Sequence, residues 1–127
     1  MKKMVKSLSL AIVLVLGVAM FAGCMPSTAD KATANLKDAG YVVDNTVAAA
    51  VVRAMYKNVD DVVWGTNGNE AVMVVYFKDA SSAKDSEKDL QKIKDRYFKD
   101  QKDENVKSGR SGKMLYVGTK QGVKDCQ

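Results

Sequence analysis

Residues 61–77 read DVVWGTNGNEAVMVVYF, and no other stretch restricts the fold as strongly. Asn67-Gly68 is the preferred dipeptide of a two-residue type I′ turn, and the β-branched and aromatic runs on both sides suit paired strands. The segment is expected to form a β-hairpin. Counting outward from the turn sets Thr66 against Asn69, Trp64 against Ala71 and Val62 against Met73. Alternation along each strand then collects Val62, Trp64, Ala71, Met73, Val75 and Phe77 on one face. Val63, Gly65, Glu70, Val72, Val74 and Tyr76 fall on the other. The first set is the expected core. The second is more apolar than a wet face requires, and Val63, Val72 and Val74 are read as a surface for a partner.

Helical patterns flank the hairpin. PSTADKATANLKDAGY offers Ser27 or Thr28 as an N-cap, Ala29, Ala32, Leu36 and Ala39 at helical spacing, and Gly40 at the close, which predicts a helix over 28–39. YVVD then suits a short strand. In DNTVAAAVVRAMYKN, Asp44, Asn45 or Thr46 can cap a helix running to about residue 57; its alanines favour that state and its valines pull toward a strand. ASSAKDSEKDLQKIKDRYF, starting at Asp79 or Ser81, carries Ala83, Leu90, Ile93 and Tyr97 as the narrow stripe of one long helix. KDQKDENVKSGRSG reads as a polar loop, KMLYVG as the last strand and TKQGVKDC as a loose terminal turn or helix. The expected class is α+β: an N-terminal helix followed by a ferredoxin-like β-α-β-β-α-β order, with one antiparallel sheet backed by helices.

Ahead of this domain, Lys2, Lys3 and Lys6 precede the uncharged run LSLAIVLVLGVAMF. Basic residues, an apolar stretch and then small residues are the order of an export signal. At about 14 residues the stretch falls short of the roughly 20 that span a hydrocarbon core. The run ends in FAGC, which resembles the lipobox of bacterial lipoprotein precursors. Phe21 stands at the large apolar position, Ala22 and Gly23 at the small ones, and Cys24 at the lipid-accepting cysteine. The resemblance implies a signal peptide over 1–23, a diacylglyceryl group on Cys24, a tether over 24–27 and one small domain over 28–127. It also implies a membrane partner, reached through covalent lipid on the extracytoplasmic face of the cell membrane.

The same sulfur has a competing use. The chain holds two cysteines, and a Cys24–Cys126 disulfide is allowed outside the cytosol. If Cys24 is acylated, Cys126 is left as an odd thiol near a frayed end, expected to be inert because nothing nearby would lower its pKa.

Catalytic signals are sparse. The chain has no histidine, so a transition-metal site of Cys and His ligands is not expected, and no cofactor is implied. Of the lysines behind the +5 formal charge, Lys2, Lys3 and Lys6 belong to the leader, which removes the case for a nucleic-acid partner. GRSGK at 109–113 lacks the spacing of a phosphate loop and runs into a strand. Ser81-x-x-Lys84 matches the spacing of penicillin-interacting enzymes without their companion motifs, and Ser81 reads better as a cap. Asp60 and Asp61, adjacent on a strand, should point to opposite faces. Lysines 84, 88, 92 and 99 interleave with Asp85, Glu87, Asp89 and Asp95 as on a solvated helix face.

Through AGY, VVYF and KDASSAK the domain is loosely similar to small exported lipoproteins of Gram-positive bacteria of unassigned function, a likeness that supplies no site. The expected function is a non-catalytic, lipid-anchored binding or interaction module of the cell envelope with an envelope protein as partner. The alternative is a small extracytoplasmic enzyme using carboxylates or the Ser81–Lys84 pair.

Overall fold

The structure, a computed structural model, describes residues 24–127. The signal peptide expected over 1–23, with Phe21, Ala22 and Gly23, lies outside the described residues. The described elements run α1 (Ala29–Asp38), β1 (Val42–Asp44), α2 (Val47–Met55), β2 (Val59–Asn67), β3 (Glu70–Phe77), α3 (Ala80–Glu87) and α4 (Leu90–Tyr97). A 3-10 turn (Asp103–Asn105), β4 (Val106–Ser111), β5 (Met114–Thr119) and α5 (Lys120–Cys126) follow. The class is α+β, with five strands in the order β1-β2-β3-β5-β4 and every neighbouring pair antiparallel.

That order departs from the ferredoxin-like expectation. In a split β-α-β unit the strands on either side of the helix run parallel, with another strand between them. Here β1 and β2 are direct antiparallel neighbours, Asp44 lying opposite Trp64. α2 continues in the direction of β1 for about 13 Å, and the chain reverses only beyond it. Asn58, at φ +61°, takes the left-handed conformation at that reversal, which asparagine tolerates better than most residues. An Asp44 carboxylate oxygen accepts from the Thr46 and Val47 amides at 2.8 and 3.1 Å, so 47–55 starts as a helix despite its valines.

The hairpin forms, in a register two residues away from the expected one. Asn67 pairs with Glu70, Thr66 with Ala71 and Trp64 with Met73. Gly68, at φ +61°, is the first central residue of the turn, the position glycine fills in a type II′ turn rather than the type I′ expected. A shift of two preserves side-chain direction, so each residue keeps its assigned face.

Both faces of the sheet are covered. Val62, Met73, Val75, Phe77, Leu115 and Val117 pack under α2, α3 and α4, where Val52 and Ile93 are fully buried. Val63, Val72, Val74 and Met114 pack under α1 and α5, against Ala32, Leu36, Val123 and Cys126. β3 is buried without interruption from Val72 to Phe77, as expected of a strand enclosed on both sides.

The expected long helix is two. The Asp89 carbonyl accepts from the Tyr56 hydroxyl at 3.0 Å and from the Lys92 amide at 2.9 Å, which takes it out of the regular helical ladder. The expected polar loop contains β4, an edge strand on β5, and the loose terminus is the helix α5.

Candidate functional site

The strands define two ends of the molecule. At one, the Gly68 end, β2 turns into β3. At the other, the Gly112 end, β2 begins, β3 finishes and β4 turns into β5; the Phe77 amide donates to the Lys113 carbonyl there at 2.8 Å. Residues 24–28 cross this second end before α1 starts.

The crossing segment is fastened. Met25 is 7% exposed and joins the core beneath α1. The Tyr76 hydroxyl lies 2.9 Å from the Pro26 carbonyl and 3.0 Å from the Thr28 carbonyl, and donates its one proton between them. Burial, and secondarily Cys126 and Asp61, push the Tyr76 phenol above its ordinary pKa, keeping it a donor. The Thr28 side chain then caps α1 by accepting from the Lys31 amide at 3.2 Å. Removing the phenolic oxygen with Tyr76→Phe should cost about 1 kcal/mol and raise amide hydrogen exchange in residues 27–31. Unchanged exchange would mean that the burial of Met25 alone holds the segment.

Between this segment and the β4–β5 turn opens a cleft of about 590 Å³, lined by Met25, Asp30, Asp60, Asp61, Tyr76 and Lys113 among others. Asp60 and Asp61 both reach it, contrary to the expectation of opposite faces. The cause is a bulge: Val59 pairs with Phe77 and Asp61 with Tyr76, so two steps on β2 match one on β3. Asp61 is partly engaged, one carboxylate oxygen accepting from the Val62 amide at 2.9 Å. A cleft with three carboxylates, one ammonium and apolar walls suits a polar group bearing positive charge. Among the described residues no group of three or more His, Cys, Asp or Glu side chains is placed to hold a metal ion. Nothing in the residue spacing announced this cleft, because a bulge leaves no dependable sequence mark.

Cys24 is exposed at the edge of this end, one residue before buried Met25. The partner surface read into Val63, Val72 and Val74 is corrected: all three are 0% exposed, covered by the chain's own α1 and α5. Cys126 is likewise a core residue rather than a frayed-end thiol; it is fully buried, its thiol is pushed up to about 12 by burial, and no disulfide joins it to Cys24.

Ser81 and Lys84 lie on the exposed side of α3, outside the cleft. The cap of α3 is Asp79, not Ser81: its carboxylate accepts from the Ser82 amide at 2.7 Å, which holds its pKa below the ordinary value. In GRSGK, Gly109, Arg110 and Ser111 belong to β4 and Gly112-Lys113 form its turn, so no phosphate cradle is built. Of the interleaved helix charges, Asp89 and Lys92 pair at 3.6 Å, an exposed contact of small energy.

Among the described residues no helix is long and apolar enough to cross a membrane. No family model matches the chain, and neither a curated protein nor a solved structure matches it.

Proposed function

We propose that the chain is an extracytoplasmic protein of the bacterial cell envelope, held on the membrane by lipid on Cys24 and acting there as a non-catalytic module that binds an envelope protein. The observation carrying this reading is the junction at residues 24–26. Cys24 closes the FAGC motif and is exposed, while the next side chain, Met25, is already part of the core. A cysteine so placed can carry acyl chains without disturbing the packing, and two chains hold a protein stably at a bilayer.

The convergence of Asp60 and Asp61 on the cleft favours a second reading, a small extracytoplasmic enzyme working through carboxylates. Its Ser81–Lys84 form lacks support, since neither residue lines that cleft.

The test is the intact mass of protein extracted from a bacterial membrane fraction, wild type beside Cys24→Ala. The expected wild-type species begins at Cys24 and is heavier by a diacylglyceryl group; the variant lacks both changes and leaves the lipid-anchored pool. An unmodified wild-type mass would overturn the anchor.

A further inference from the structure

A lipid anchor usually leaves a domain free to tumble on a stalk, because several flexible residues separate lipid from fold. Here the separation is nearly nil. Met25 and Pro26 are buried, and the Pro26 carbonyl lies 2.9 Å from the Tyr76 hydroxyl. Consecutive Cα atoms are 3.8 Å apart, so Cys24 stays within one residue of a fixed point on the Gly112 end of the sheet.

We propose that the Gly112 end is the surface that rests on the bilayer, and that the Gly68 end is the surface shown to the envelope. The inference depends on the lipid-anchor reading and adds an orientation to it. β2 runs from one end to the other through nine residues, about 27 Å of strand, so the Gly68-Asn69 turn stands clear of the headgroups. The membrane-facing end carries both signs of charge, with Lys78 and Lys113 near Asp60, Asp61 and Asp79. Its contact with lipid is therefore imposed by the tether and does not depend on a basic patch that salt would screen.

The orientation is tested on the full lipidated protein in phosphatidylglycerol vesicles containing a lipid with a nitroxide on its headgroup. Lys113→Cys and Asn69→Cys are each labelled with a fluorophore. Both positions are exposed, and the native thiols do not compete, since the Cys24 sulfur is alkylated and Cys126 is 0% exposed. The expected result is several-fold stronger quenching at position 113 than at 69, unchanged at high salt. Equal or reversed quenching on protein whose intact mass includes the diacylglyceryl group would overturn the orientation and leave the anchor standing. Protein with an unmodified mass would overturn both. Quenching at 113 that salt abolishes would overturn the tether as the cause.

Discussion

Stability is expected to fall steeply as the pH rises above 9, with Cys126 leading the loss. Burial pushes its thiol from an ordinary 9.0 up to about 12. The unfolded chain therefore releases this proton near pH 9, while the folded chain keeps it until about 12. A raised folded pKa gives stability that is whole below the unfolded value and declines as the pH climbs toward the folded one, at about 1.4 kcal/mol per pH unit. From pH 10 the tyrosines join. Tyr56, buried and facing the Asp89 charge, is pushed from 10.0 up to about 12. Tyr41 is raised by burial first and then by its 2.7 Å hydrogen bond to Asp125, and Tyr76 is raised as described above. Across these groups the loss at the upper end of the window reaches about 5 kcal/mol or more, comparable with the whole stability of a marginal domain. Urea midpoints measured over a pH series check this. Cys126→Ala should delay the onset by about one pH unit, to where the tyrosines begin; a wild-type onset in that variant would remove Cys126 from the account.

Gly122→Ala is expected to destabilise by about 3 kcal/mol, the upper part of the range for overpacking. A Cβ on Gly122 would sit 2.5 Å from the Ala71 carbonyl oxygen and 2.9 Å from the Thr119 hydroxyl. Neither can give way. The Ala71 carbonyl accepts from the Thr119 hydroxyl at 3.3 Å, and that hydroxyl accepts from the Ala71 and Gly122 amides at 3.2 and 3.1 Å. Thr119 is 0% exposed, the buried polar side chain that caps α5 and ties it to β3. The methyl group must lift α5 away from the sheet, and Val123 and Cys126 come with it. Gln121→Ala, on the exposed side of the same helix, should stay within about 0.5 kcal/mol. Equal thermal midpoints for the two variants would show that α5 is not seated on β3 through Gly122.

What the residues disclose in advance divides along physical lines. Period-2 alternation around Asn67-Gly68 identifies the hairpin and both faces, because side-chain direction survives a register shift of two. The turn type is less legible: glycine tolerates positive φ at either central position, and the choice between them depends on the strands it joins. The run Val72 to Phe77 carries the mark of a strand enclosed on both sides. Reading half of it as an open partner face follows from leaving α1 and α5 unassigned to any layer. β4 is hidden for a different reason. VKSGRS is polar because the strand lies at the edge of the sheet, and edge strands are often polar or charged. The cleft is the least legible part, since it depends on a bulge and on where residues 24–28 cross. Cys24 needs only a linear motif, and that is why it can be singled out without a fold.

The layer over Val63, Val72 and Val74 is made from opposite parts of the chain. The Asn35 side chain of α1 donates to the Cys126 carbonyl at 2.9 Å, across nearly the full length of the described sequence. Ribosomes deliver α1 early and α5 late, and contacts between such distant segments form slowly. Throughout synthesis the valine-rich side of the hairpin has at most half its roof. The valine-rich layer is complete only when α5 docks beside α1, and a contact of that sequence separation is expected to form among the slowest in the domain.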